Sequence, residues 1–208
     1  MQGMLPGDPG VNHDLPSVAA AKSALRRKLR AARRELTEAE RADAARRLRD
    51  EILSLPEIQM AGAVAAYCSV GTEPSTRGLL FALWKRGTYV LLPLLQADGD
   101  LDWASYEGPD SLAVGPRGLL EPTEPRRGPG AIASADLVIV PALAAGRDGH
   151  RLGQGGGSYD RALARVGTPV PTVAVLYDGE LLAEVPAGPH DVPVRLVAQP
   201  QEGITRLP

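Results

Sequence analysis

Asp136-Leu137-Val138-Ile139-Val140-Pro141 and, shortly after it, Gly149-His150-Arg151-Leu152-Gly153-Gln154-Gly155-Gly156-Gly157-Ser158-Tyr159-Asp160-Arg161 are the stretches on which the reading of this chain turns. The first is a short, unbroken apolar run closed by proline. That pattern suits a strand covered on both faces better than a helix. In the second, four of the five residues from Gly153 to Gly157 are glycine, and such a stretch loses too much chain entropy to sit in a helix or strand. A helical run, Tyr159-Asp160-Arg161-Ala162-Leu163-Ala164-Arg165, follows at once. A glycine loop opening into a helix exposes several backbone N–H groups beside a positive helix end, an arrangement suited to a phosphate. Arg151 adds a bidentate partner for an anion, and Asp160 adds a carboxylate that can reach a magnesium ion.

The loop departs from the stricter nucleotide fingerprints. A dinucleotide G-x-G-x-x-G needs Gly or Ala where Ser158 stands, and a strand directly before it, whereas the strand at 136–141 lies a dozen residues upstream. A Walker loop ends in Gly-Lys-Ser/Thr, and no lysine is present here. On its residues alone this is a phosphate-binding loop of unassigned class, with a plain connector as the bland alternative.

Upstream, Ser17 caps a helix running to about Leu36, and Thr37 with Glu40 forms a capping box for a second helix ending near Leu55-Pro56. Ala61 to Cys68 reads as a buried strand, Pro74 opens a third helix that stops at Gly87, and Thr88 to Pro93 is a second buried strand. Asp98-Gly99-Asp100 is the turn of a hairpin, and the proline-rich segment from Leu119 to Gly130 reads as an extended loop. Further strands are expected at Val170 to Tyr177 and Pro193 to Ala198. Buried strands alternating with helices predict a three-layer α/β sandwich around a mostly parallel, Rossmann-like sheet, preceded by an N-terminal helical pair. Residues 17–208 are expected to form one domain, with 1–16 a Gly/Pro-rich flexible tail. In such sheets ligands gather beyond the carboxyl ends of the strands. The polar features expected there are Gly71-Thr72-Glu73, the glycine loop and Asp178.

With 208 residues the chain can bury a substantial core, and 44% hydrophobic with 23% charged residues is ordinary for a water-soluble domain. A net charge of -2 argues against a broad nucleic-acid surface. Cys68 is the only cysteine, so no internal disulfide forms and a reducing compartment is expected. The tail lacks the apolar core of a signal peptide, and no apolar run is long enough to span a bilayer; the expected location is the cytoplasm. Between Lys22 and Arg34 lie seven basic residues and no acid. In helical projection Leu25, Leu29, Ala32 and Leu36 form an apolar stripe bordered by Lys22, Arg26 and Arg33. Those cations belong at the seam between helix and protein body, where a nucleotide phosphate would meet them; a solvated face and an RNA-binding face are the alternatives.

Together these pieces resemble the 5-formyltetrahydrofolate cyclo-ligase family, also called 5,10-methenyltetrahydrofolate synthetases, from Lys22 to about Val197. Arg151 to Arg161 resembles the family's R-x-G-x-G-x-G-Y-Y-D, Lys22-Ser23-Ala24-Leu25-Arg26 its K-x-x-x-R, and Glu73-Pro74-Ser75-Thr76 its E-x-x-T. Gly118-Leu119-Leu120-Glu121-Pro122 and Pro189 to Val194 also fit. The resemblance implies conversion of 5-formyltetrahydrofolate and ATP to 5,10-methenyltetrahydrofolate, ADP and phosphate, with Mg²⁺. The formyl oxygen would attack the γ-phosphate, N10 would close the ring, and phosphate would leave. Such chemistry depends on positioning and charge neutralisation rather than on a covalent nucleophile.

The same resemblance assigns the ATP site to Lys22, Ser23, Ala24, Leu25 and Arg26 with Arg151, Leu152, Gly153, Gln154, Gly155, Gly156, Gly157, Ser158 and Tyr159. It assigns Mg²⁺ to Asp160 and Asp191, and the folate to Glu73 and Cys68. Arg151 and Tyr159 would stand beside the reacting group. Ser158 replaces the first tyrosine of the family's pair and removes an aromatic wall; Arg195 stands where many members carry an acid. A monomer without membrane or nucleic-acid partners is expected. The alternative is a non-catalytic module that senses a phosphorylated ligand, in which Asp160 and Asp191 would have no metal to hold.

Overall fold

The computed structural model describes residues 17–115 and 118–208, so the expectations for residues 1–16 lie outside the described residues. The Ser17 hydroxyl accepts the Ala20 N–H and starts α1 (Val18–Glu35). Thr37 and Glu40 satisfy each other's backbone N–H groups at the start of α2 (Glu38–Ser54), as the capping-box spacing predicts. Pro56 at the first helical position opens the short α3 (Pro56–Met60). Then come β1 (Ala63–Ala65), α4 (Arg77–Lys85), β2 (Tyr89–Leu95) and β3 (Leu101–Ser105). A small antiparallel pair, β4 (Leu112–Val114) and β5 (Leu120–Pro122), precedes β6 (Leu137–Pro141). The chain ends with β7 (Ala144–Gly146), β8 (Arg151–Leu152), α5 (Ser158–Leu163), β9 (Thr172–Val175), β10 (Leu181–Leu182), β11 (Leu196–Gln199) and β12 (Gly203–Arg206).

Seven strands form the main sheet in the order β12-β11-β9-β6-β1-β2-β3. All neighbours are parallel except the two edges, where β12 and β3 run antiparallel. Alternate residues divide between the faces, as the period-2 pleat requires. Leu137, Ile139, Val173 and Val175 enter one apolar layer with Leu48, Ile52, Leu80 and Leu83 of α2 and α4. Val138, Val140 and Ala174 enter the opposite layer with Ile132, Ala162 and Leu163. The expected sandwich around a mostly parallel sheet is present, but its second helical layer is thin. It consists of α5 and a 3-10 turn at Pro129–Ser134.

Several boundaries differ from expectation. The first strand spans only Ala63–Ala65, and α4 begins at Arg77 rather than Pro74. The cause is local competition: the Thr76 hydroxyl donates to the Tyr67 carbonyl at 2.6 Å and accepts the Ser69 N–H at 3.1 Å. This side-chain clasp holds residues 66–76 as a turn instead of extending strand or helix. The segment read as an extended loop, 119–130, contributes β5 and enters the 3-10 turn. A second sheet of order β10-β7-β8, which periodicity did not reveal, is built from two strands between β6 and the glycine loop and one after β9. Its strands have only two or three residues each, too few to leave a pattern.

Candidate functional site

From β1 the chain proceeds outward to β2 and β3, then returns to build β6, β9 and β11 on the other flank. The strand order therefore reverses between β1 and β6. At such a switch point the connections leaving adjacent strands diverge and open a crevice at their carboxyl ends. A cleft of about 700 Å³ opens there, lined by Tyr67 and Cys68 beyond β1, Pro141 and Ala142 at the end of β6, and Glu73. The glycine loop 153–157, Arg151, Tyr159, Asp160 and Asp191 line it too, as do Lys22 and Arg26 of α1.

The loop takes its shape from two left-handed glycines, Gly155 at φ 110° and Gly157 at φ 68°. A Cβ at Gly155 would only come into ordinary contact with the Arg26 guanidinium, 3.4 Å away, so the positive φ is what calls for glycine there. The helix behind the loop, α5, has six residues rather than the longer run expected, so its dipole contributes little. Side-chain cations supply the positive charge instead. Arg26 Nε donates to the Gly153 carbonyl at 2.9 Å, fixing α1 to the loop. Arg30 donates to Gln154 Oε1 at 2.6 Å, and Gln154 Nε2 reaches Glu73 Oε1 at 3.4 Å. Ser23 and Ala24 are exposed and Leu25 packs against a small apolar cluster. Of the five-residue basic segment, only Lys22 and Arg26 line the cleft.

Arg151 is buried, with Nη2 donating to Asp160 Oδ1 at 2.9 Å, Nη1 to the Val192 carbonyl, and Nε without a partner among the described residues. Burial pulls its pKa down, with Asp160 working in the opposite direction. Asp160 Oδ1 also accepts the Val192 N–H at 3.2 Å. Next to it, Asp191 Oδ2 pairs with Lys22 and accepts the Gly188 N–H at 2.6 Å. Burial works to raise the Asp191 pKa, but Lys22 and the Gly188 amide outweigh it and hold the carboxyl below its ordinary value. Two carboxylates, each neutralised by a cation, thus meet at the loop. The hydrogen bonds occupy Asp160 Oδ1 and Asp191 Oδ2, leaving the second oxygen of each outside them among the described residues.

The opposite wall is less polar. Glu73 lies on the turn shaped by Thr76, accepting the Val70 N–H at 3.0 Å; burial pushes its carboxyl upward against that bond, Gln154 and the charge of Arg33. Cys68 is half-buried and burial raises its thiol, with Arg77 pulling the other way. Tyr159 joins both apolar layers, and burial drives its phenol far above the ordinary value, keeping it a neutral donor.

The sequence marks Glu121 and Gly99 only by the motif and the turn that contain them, not as parts of the cleft. Glu121 is buried on β5 and accepts the Leu95 N–H at 3.1 Å, lining the cleft beside β2. The Gly99 carbonyl at the β2–β3 turn accepts from Ser158 Oγ and from Arg161 Nη2, both at 2.6 Å. Arg33, read as a seam residue, is fully buried and paired with Glu180. Asp178 stands apart from the cleft, accepting the Gln201 and Glu202 N–H groups at the β11–β12 turn. Arg195 is exposed and is not among the residues that line the cleft.

An open, mostly parallel α/β sheet with a charged cleft at its switch point defines the broad class: an α/β protein built to hold small molecules beyond the carboxyl ends of its strands. Residues 18–200 match the model of the 5-formyltetrahydrofolate cyclo-ligase family. A 5-formyltetrahydrofolate cyclo-ligase of Mycolicibacterium smegmatis is 40% identical over 193 residues, 90% of this chain and 97% of that protein. One from Escherichia coli K12 is 29% identical over 177 residues, 84% of this chain and 97% of that protein. The structure of Aquifex aeolicus 5,10-methenyltetrahydrofolate synthetase superposes with a TM-score of 0.78 at 31% identity, covering 89% of this chain and 92% of that one. That of the Mycoplasma pneumoniae synthetase, at 20% identity, shares the fold with a TM-score of 0.68. This chain belongs to the 5-formyltetrahydrofolate cyclo-ligase family and is an enzyme of that ligase class. No described helix is long and apolar enough to cross a membrane.

Proposed function

We propose that the chain closes the ring of 5-formyltetrahydrofolate in an ATP- and Mg²⁺-dependent reaction, yielding 5,10-methenyltetrahydrofolate, ADP and phosphate. The observation that carries this reading is the convergence in one cleft of Lys22, Arg26, Arg151 and the glycine loop with Glu73 and Cys68. Lys22 and Arg26 hold the phosphates with the loop, and Arg151 stabilises charge on the transferring phosphoryl group. Glu73 accepts N–H donors from the pterin edge, Cys68 covers its apolar face, and Tyr159 donates beside the formyl group.

Among the described residues no three His, Cys, Asp or Glu side chains cluster into a metal cage. That donor set fits Mg²⁺ arriving with its nucleotide, because this ion takes one or two carboxylates and completes its shell with phosphate oxygens and water. The second oxygens of Asp160 and Asp191 are the ligands offered. When bound, the ion would neutralise charge as the γ-phosphoryl group moves to the formyl oxygen. The chain's own part is to align that oxygen with the γ-phosphorus, keep water out, and hold N10 near the formyl carbon until the ring closes and phosphate leaves.

The purified chain, mixed with 5-formyltetrahydrofolate, ATP and Mg²⁺, should produce the methenyl chromophore, and omission of ATP or Mg²⁺ should prevent it. Asp160→Asn should keep the fold by circular dichroism and lose turnover by about a hundredfold or more. Undiminished turnover in that variant would remove Asp160 from the metal site. A chain that binds ATP but forms no chromophore favours the sensing module.

A further inference from the structure

We infer that the buried Arg33–Glu180 pair is a positioning device, holding α1 at the angle that keeps Lys22 and Arg26 over the glycine loop once they turn to a bound triphosphate. This rests on the nucleotide reading above. Arg33 is 1% exposed and Glu180 6%. Nε and Nη2 of Arg33 bond the two Glu180 oxygens, each at 2.7 Å, and Nη2 also reaches the Ala142 carbonyl at 2.7 Å. The guanidinium lies over the Tyr177 ring, 5.4 Å from its centroid. Glu180 is fixed in turn by the Tyr177 N–H at 2.8 Å. The helix is thereby joined to the segments leaving the carboxyl ends of β6 and β9, the strands beside the cleft.

The other contacts of α1 are few and mostly exposed: Arg30 donates to Gln154 of the loop, and Arg41 of α2 donates to the Arg33 carbonyl. The only buried residues of α1 are Leu29 and Arg33. Leu29, with Leu25 at its margin, packs into a small cluster with Leu143, Leu152 and Val185. At the front end the anchors are Lys22 to Asp191 and Arg26 to the Gly153 carbonyl. These are the two cations assigned to phosphates, so binding withdraws both anchors. What remains is an apolar pivot near Leu29, an exposed Arg30 contact to Gln154 of the loop, the Arg41 contact to the last turn, and the fork at Arg33, about 16 Å along the axis from Lys22. A helix resting on a small apolar pivot can roll and slide; a planar fork bonded to three oxygens cannot. Packing alone does not call for charge here, because apolar replacements of buried ion pairs are often as stable or more so.

The test compares the wild-type chain, Arg33→Met, and the double variant Arg33→Met with Glu180→Gln, which removes both charges and keeps an acceptor for the Tyr177 N–H. Thermal unfolding without ligand reports the fold, and calorimetry reports the dissociation constant for ATP with Mg²⁺. Arg33→Met should unfold at lower temperature, since it leaves the Glu180 charge buried alone. The double variant should recover the wild-type transition yet bind ATP about tenfold more weakly or worse. Wild-type affinity in a double variant of wild-type stability makes the pair a mere staple and overturns the inference. If the double variant does not fold, Arg33→Lys decides. It keeps a charge opposite Glu180 but lacks the fork, so weakened ATP binding supports the inference and unchanged binding overturns it. A wild-type chain that binds no ATP removes the nucleotide reading itself, and this inference with it.

Discussion

Glu73 is the residue at which stability and function pull in opposite directions. Burial raises its pKa from the ordinary 4.5, although the Val70 amide, Gln154 and Arg33 all favour the charged form. A carboxyl raised in the folded state binds more protons there than in the unfolded chain once the pH passes the unfolded value. The linkage slope is then negative: stability falls as pH rises through the window between the unfolded and folded values, and stays lower above it. On the proposed reading, the carboxylate is kept to accept N–H donors from the pterin edge. Glu73→Gln retains one acceptor for the Val70 N–H and loses the charge. The ligand-free variant should therefore unfold at higher temperature than wild type at pH 7–8. The difference should vanish near pH 4, while the KM for 5-formyltetrahydrofolate rises at neutral pH. Superimposable stability curves from pH 4 to 8 would mean that the carboxylate bears no burial cost.

At the scale of elements, what could be read from sequence was what is local. The capping box at Thr37 and Glu40 lies within one helical turn, and its spacing gave the start of α2. The Asp98-Gly99-Asp100 turn and the strand at 137–141 were legible for the same reason. Pro74 misled, because the Thr76 hydroxyl bonded back to Tyr67 outcompetes helix formation, and no local propensity encodes that. The Arg33–Glu180 pair was beyond reach: the partners lie 147 residues apart, and the helical projection marked only a border position. At the cleft, the motif segments located Lys22, Arg26, Glu73 and the glycine loop, but not the contacts among them.

One such contact joins two elements. The tip of the β2–β3 hairpin is fastened to α5 by Ser158 and Arg161 on the Gly99 carbonyl, and to the turn after it by Arg165 on both Asp100 oxygens at 3.0 and 2.6 Å. Gly99 and Leu101 line the cleft from that hairpin. Serine at position 158, where the family pattern has tyrosine, is short enough for its hydroxyl to end on this carbonyl. Ser158→Ala leaves Arg161 on Gly99, and Asp100→Asn leaves Ser158, so each alone should raise the folate KM only a few-fold. Both together should cost more than the sum, with a coupling on the order of 1 kcal/mol in a double-mutant cycle on kcat/KM. Strict additivity would show that the hairpin needs no such fastening.

For the whole molecule, the parallel sheet is a frame whose two flanks are built by different parts of the chain and meet at β1 and β6. The thick helical layer on α2 and α4 lies against one face of the sheet. The segments that would change partners on nucleotide binding are α1, the loop 153–157 and residues 188–192, all at the carboxyl ends of the strands. Where these segments meet one another they are held by polar contacts, whereas the strands behind them are buried and paired, so local opening belongs to the rim rather than the frame. A ligand that binds only the folded state stabilises it by about 2.7 kcal/mol at a hundred times its dissociation constant. That increment reaches the slowest-exchanging amides of β6 and β9 equally. The rim should gain additional protection, because there the ligand also suppresses local opening. Hydrogen exchange with and without ATP and Mg²⁺ should therefore slow most at residues 153–163, 188–192 and the front half of α1, with no excess slowing at β12 or α3. Excess protection centred on the far edge of the sheet, with residues 153–163 unchanged, would place the nucleotide elsewhere and detach the glycine loop from phosphate binding.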